Sequence, residues 1–180
     1  MNDNLAEPAQ LDDVIPPTTA PSPPVKKIEV TDEDKERYFK SFLSDEPYQE
    51  TFARLGGKVK ITLRTLTVSE NYDIFRQIDL DRKSGRAKNE DSYLMTVVQY
   101  RLGVSLVAVN DVPFADDCTK EDFKTDEKAG VSYVAKKAEA LQGWPVHKLA
   151  GFVETFNYFE TKVQQLTAEV ADSDFWKAAA

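Results

Sequence analysis

Phe52-Ala53-Arg54-Leu55-Gly56-Gly57-Lys58-Val59-Lys60-Ile61-Thr62-Leu63-Arg64-Thr65-Leu66-Thr67-Val68-Ser69-Glu70 is the stretch on which the fold of this chain turns. Gly56-Gly57 is a two-residue hairpin signal, because glycine reaches positive φ without steric cost. After it, Val59, Ile61 and Leu63 alternate with Lys60, Thr62 and Arg64, the period-2 pattern of a strand with one buried and one wet face. Thr67-Val68-Ser69-Glu70 then fits a capping box, Thr67 as N-cap and Glu70 reaching back. A strand pair feeding a helix is therefore expected. A lone hairpin is marginal in water, so it must lie on helices or join a larger sheet.

Working outward toward the N-terminus, Thr31-Asp32-Glu33-Asp34 predicts an N-cap with acids in the first turn, where the helix dipole favours them. That helix should carry Tyr38, Phe39 and Phe42 inward and stop before Pro47. Residues 1–30 hold six of the nine prolines, all within the first 24 positions. Such a segment cannot bury enough apolar area to offset its ordering entropy, so it reads as a disordered, Pro-rich tail. Its Pro-Pro pairs also suit a groove-type polyproline reader, a weaker reading than a bare tail.

Toward the C-terminus, the helix behind Thr67 presents Asn71, Ile74, Phe75 and Ile78 on one side and is expected to end near Asp79. A polar loop then runs to Glu90. Asp91 opens the most apolar segment, Tyr93 to Val109, whose apolar residues go nearly all round, as in a central buried helix. The expectation is helix through about Val107, although the β-branched half after Gly103 also suits a strand. Asn110-Asp111-Val112-Pro113 reads as a turn. A charged connector, Asp116 to Lys128, precedes a helix from about Glu127 to Leu141, and Gly143-Trp144-Pro145 breaks it. The last helix has the clearest period: Leu149, Phe156, Val163 and Val170 recur every seventh residue, with Phe152, Phe159 and Leu166 between them. This a/d seam is expected to pack on the preceding helix, with reception of an amphipathic partner as the alternative. Residues 171–180 form an acidic-aromatic tail holding Phe175 and Trp176, a cap or an anchor for a partner. The chain thus reads as a single α+β domain over 31–170, mostly helical, with a short β-hairpin packed on a helical bundle.

Composition narrows the chemistry. The 180 residues carry a net charge of −8, so phosphate backbones are repelled and no nucleic-acid partner is expected. The basic stretch Arg82 to Lys88 is short and bracketed by acids, a solvated loop. No apolar run approaches the roughly 18–20 residues of a membrane span, and no secretory leader is visible at Met1-Asn2-Asp3-Asn4, so a soluble protein is expected. One cysteine, Cys118, and one histidine, His147, leave no disulfide and no zinc set. Cys118 follows Asp116 and Asp117, which disfavour its thiolate, and His147 reads as an exposed or capping side chain. Asp79 to Glu90 superficially resembles a calcium loop, but Lys83 takes a ligand position and the glycine comes one residue late. No phosphate-cradling glycine motif is present. No catalytic residue, cofactor or metal is expected, and a binding role is the first expectation.

The pattern Phe52-x-x-Leu55-Gly56-Gly57-Lys58-Val59-x-Ile61-x-x-Arg64-x-Leu66-Thr67-Val68-x-Glu70, an apolar helix, and a long amphipathic helix ending in an acidic Phe-Trp segment resemble the tail assembly chaperones of tailed bacteriophages and related baseplate hub assembly proteins. The similarity spans roughly Tyr48 to Trp176. It implies a protein of the infected bacterium's cytoplasm that binds the helical, aggregation-prone tape measure protein and keeps it soluble during tail morphogenesis. It implies no catalytic residues. Phe152, Phe156, Phe159, Phe175 and Trp176 are the positions expected to touch the client. The alternatives are a structural tail or baseplate subunit of the virion and an unrelated intracellular protein-interaction module.

Overall fold

Thr31 caps the first helix as its sequence demands. In a computed structural model that describes residues 28–87, 89–115 and 132–171, the Thr31 hydroxyl accepts from the Asp34 amide at 3.2 Å, and the Asp34 carboxylate accepts from the Thr31 amide at 3.1 Å. Helix α1 (Asp32–Ser44) ends at Asp45, which adopts a left-handed conformation two residues before Pro47. Phe42 does not point inward as expected but is 56% exposed. Asp34, Lys35 and Tyr38, in its first two turns, tie α1 to α5.

Strands β1 (Gln49–Arg54) and β2 (Val59–Arg64) pair antiparallel from Gln49 opposite Arg64 to Arg54 opposite Val59. The connecting loop is Leu55-Gly56-Gly57-Lys58, four residues rather than two. Leu55, Gly56 and Gly57 all take positive φ, and a glycine pair lets the chain reverse there although Leu55 bears the strain. Ile61 and Leu63 are buried as the alternation requires, but the opposite face is not fully wet. Thr62 is buried there, its hydroxyl 2.9 Å from that of Thr51.

Helix α2 (Val68–Lys83) opens with the predicted capping box at Thr67 and runs past Asp79 to Lys83, so the expected long polar loop shrinks to residues 84–89. Asn89 caps α3 (Glu90–Ser105), which stops before Val107. Leu106 is already extended and begins β3 (Leu106–Val109), paired antiparallel with β2 through a bulge at Thr62/Leu63. Packing decides this over local apolarity: Leu106 and Val109 lie opposite Leu63 and Ile61, a pairing available only beside β2. Asn110 and Asp111, both at positive φ, turn the chain tightly into β4 (Val112–Pro113). The sheet therefore has four strands in the order β1-β2-β3-β4, not the single hairpin expected.

Ser132 caps α4 (Tyr133–Gln142), and α5 (Val146–Ala171) completes the described chain. The expected start of α4 near Glu127 and the connector from Asp116 lie outside the described residues, apart from Ser132 onward. The apolar side chains form two clusters. One joins Tyr48, Phe52, Ile61 and Leu63 of the sheet region to Phe152, Phe156, Phe159 and Leu166 of α5. The other fills the space between α2, α3 and α4 with Ile74, Ile78, Tyr100, Val104, Val134 and Ala138. Helix α3 supplies both, Leu102 to the first and Val104 to the second. The architecture is α+β and mostly helical, as the patterning predicts. At Gly103 the α3 backbone lies so close to α4 that an added Cβ would stand 3.0 Å from the Lys137 carbonyl carbon.

Candidate binding surface

The heptad seam of α5 is interior. Phe152, Phe156, Phe159, Leu166 and Val170 are buried, with Leu149 and Val163 half-buried beside them. Its main partner is the sheet rather than the preceding helix. Phe159 stacks on Tyr48 with ring centroids 6.1 Å apart and meets Phe52 edge-on at 6.0 Å, and α4 adds Leu141 to the cluster. Phe152, Phe156 and Phe159, the expected client contacts, are thus core rings that a partner reaches only if the domain opens. Phe175 and Trp176 lie outside the described residues, as does Cys118. His147 is exposed near the start of α5.

Among the exposed apolar side chains of the described residues, several lie on α2. Val68, Tyr72 and Phe75 follow one another at i, i+4 and i+7, so they share one face of the helix. They are 90%, 70% and 55% exposed respectively. The face a quarter-turn or so away carries Ile74, Ile78 and Asp81 into the core. Helix α2 therefore has two apolar stripes, one satisfied and one open. Sequence reasoning merged them by placing Phe75 inward with Ile74. The signal that separates them is the Val68-Tyr72-Phe75 spacing, which runs parallel to Ile74-Ile78 but one residue out of step.

Tyr72, Phe75, Arg76, Ile78, Asp79 and Arg82 of α2, with Tyr93 of α3, line a shallow open groove of about 410 Å³. The Arg82 guanidinium stands 5.4 Å from the Tyr93 ring centroid, closing one end with a cation–π contact. Leu94 and Met95 of α3 and Leu80 of α2 are also exposed. Arg76, Arg82 and Asp79 line the same groove, so its aromatic rings lie among charged side chains.

The buried ionisable groups point to structure. Glu70 takes two hydrogen bonds from Arg64, at 2.9 and 2.6 Å, and a third from the Thr67 amide at 2.9 Å. Burial pushes its pKa up, but these donors outweigh burial and hold it below the usual carboxylate range. Tyr100 donates to Asp81, and burial together with that carboxylate pushes the phenol up. Lys162 lies between Asp34 at 2.9 Å and Glu50 at 2.7 Å, while Glu50 also accepts from the Tyr48 hydroxyl at 3.0 Å. Burial lowers the Lys162 pKa, and the two carboxylates more than restore it. Each of these shifts moves the group's pKa further from pH 7, whereas a general acid or base works best with a pKa near the working pH. Among the described residues no cluster of three or more His, Cys, Asp or Glu side chains could hold a metal ion, and no helix is long and apolar enough to cross a membrane.

No protein-family model, no curated protein and no solved structure matches the chain.

Proposed function

We propose that the protein is a non-enzymatic assembly factor, a tail assembly chaperone of a tailed bacteriophage, that receives an amphipathic helix of the tape measure protein on the α2–α3 surface. The observation that carries the reading is the open Val68-Tyr72-Phe75 stripe beside the groove closed by Tyr93 and Arg82. Apolar anchors at helical spacing are what a helix-in-groove contact uses on both sides. The net charge of −8 favours a client whose polar face is basic and helps keep the complex in solution. Binding alone shifts a client from aggregation toward the complex, with no nucleotide required. The proposed setting is the cytoplasm of the infected host.

A second reading, a structural tail or baseplate subunit, draws on β1, which is paired on one side only among the described residues. Such an edge is a template for strand addition in a permanent assembly.

Co-expression of the full chain with the long helical tail protein, followed by pull-down and sedimentation, separates these readings. A chaperone recovers the client in a soluble complex, and the Tyr72→Ala/Phe75→Ala double variant loses that recovery while its own stability moves by less than about 1 kcal/mol, as expected for two exposed positions. A client that stays in the pellet, with the protein instead present in purified particles, replaces the chaperone by the structural subunit.

A further inference from the structure

The two edges of the sheet are built differently. Strand β4 is two residues long and ends in Pro113, which cannot donate to a further strand. Strand β1 is six residues long, carries neither proline nor lysine, and pairs with β2 in unbroken register, since the bulge of the sheet falls between β2 and β3. Among the described residues its outer edge meets no strand. Gln49, Thr51 and Ala53 are exposed on one face, while Glu50, Phe52 and Arg54 meet Lys162, Phe159 and Thr155 of α5 on the other.

The charges on the α5 side make this strand complementary to itself. Glu50, near its start, accepts from Lys162 at 2.7 Å and from the Tyr48 hydroxyl at 3.0 Å. Arg54, at its end, donates from Nε to the Thr155 hydroxyl at 3.0 Å and lies 5.7 Å from the ring centroids of both Phe52 and Tyr158. Among the described residues no carboxylate stands against Arg54. Inward-pointing charges blunt an edge where they would meet like charges. Laid antiparallel on a second copy about a dyad at Phe52, β1 instead sets Glu50 opposite the partner's Arg54, twice over, and Thr51 opposite the partner's Ala53. Opposite charges in that relation attract, with Cβ atoms roughly 4.5–5.5 Å apart. A slip of two residues either way would oppose Phe52 to a charge, and a slip of one would set it against Thr51. A strand pair alone is marginal in water. Tyr158, 39% exposed, meets Phe52 edge-on at 5.8 Å and therefore brings a second aromatic ring to the same dyad.

We propose that the chain forms a two-fold dimer by antiparallel pairing of β1 with β1 of a second copy, in the register that sets Glu50 against the partner's Arg54. The two four-stranded sheets become one, with both α5 helices on the same face. The interface is isologous and closed, so assembly stops at two. It uses no residue of the α2–α3 surface and stands whether or not that surface receives a client.

Sedimentation equilibrium and thiol cross-linking of the full chain test it. The wild type should show a concentration-dependent monomer–dimer equilibrium. Arg54→Glu places like charges across the interface and should raise the dissociation constant at least about tenfold, whereas Arg54→Lys should retain the dimer. In a Cys118→Ser background, Ala53→Cys should cross-link to its own copy through a short bis-maleimide, because the two positions lie about 8–9 Å apart in this register. Val112→Cys, on the β4 edge, should not. The cross-linking arm decides the matter if Arg54→Glu fails to fold by circular dichroism. A chain that stays monomeric to about 100 µM, weaker than ordinary specific pairs, overturns the proposal. So does a folded Arg54→Glu variant that dimerises like the wild type, or equal cross-linking at positions 53 and 112.

Discussion

Glycine-to-alanine substitution should have opposite effects at two helical positions, and the difference measures one contact. Gly103 lies in α3 and Gly151 in α5, both within helices. Alanine at either position gains the same helix-propensity and unfolded-state term, about 0.5–1 kcal/mol. At Gly151 an added Cβ meets nothing within 4 Å, so this term stands alone and the variant should be more stable. At Gly103 the Cβ would lie 3.0 Å from both the carbonyl carbon and oxygen of Lys137 and 3.1 Å from the Ala138 nitrogen. Carbon contacts are comfortable at about 3.5–4.0 Å, so α4 must retreat by about half an ångström. Those atoms are helix backbone, not the end of a flexible side chain. The retreat therefore moves Val134 and Ala138, buried in one cluster, and Leu141, buried in the other. Overpacking of this kind costs roughly 1–3 kcal/mol. Since the backbone term is shared, the two variants should differ by about that amount. Urea denaturation monitored by circular dichroism, with a common m-value, reads the difference directly. Equal midpoint shifts for the two variants would refute the close approach of α3 to α4.

Three further outcomes follow from the same geometry. Glu70→Gln removes the charge facing Arg64 and should lower stability by about 2 kcal/mol in chemical denaturation, below the figure for a fully buried pair because Arg64 is partly solvated. Asp34 and Glu70 are both held below their ordinary values of 3.8 and 4.5, in each case by hydrogen-bond donors that outweigh burial. Their stabilising contribution is full above those values and is lost as pH falls through them toward the folded-state values, so unfolding free energy should decline from about pH 5 downward. Glu70→Gln should flatten that decline, and an unchanged slope would mean that other carboxylates carry it. Phe175→Ala/Trp176→Ala should weaken client capture in the pull-down without shifting the thermal midpoint, and unchanged capture would remove the tail from the binding reading.

Local signals were the ones sequence could deliver. Thr31 caps its helix and Thr67 with Glu70 forms its capping box where each was expected, and Asp34 adds the reciprocal bond that makes the first a box as well. The alternation of Ile61 with Thr62 and Leu63, and the seven-residue period of α5, likewise depend only on neighbours along the chain. Harder were the features set by a distant partner. Leu106 to Val109 carry an apolar density that suits a helix, and become a strand because β2 offers an open edge. Phe75 sits one residue from Ile74, and only the placement of α3 and α4 decides which of the two faces inward. The ties of Lys162 to Asp34 and Glu50 join three elements far apart in sequence and have no spacing to read. The α2–α3 groove was missed for the same reason, being a property of how two helices lie together rather than of either one.

The direct passage from Ser105 in α3 to Leu106 in β3 makes these two elements a single mechanical member. Ser105 donates to the Arg64 carbonyl at the junction, and Leu106 pairs with Leu63 in the next step, so no slack residue lies between helix and strand. A twist of α3 about its axis has no loop in which to dissipate. It is delivered to the β2–β3 ladder, where a slip of one residue would turn Leu106 out of the core. The rotational setting of α3 is thereby tied to the register of the β2–β3 ladder, with its bulge at Thr62/Leu63.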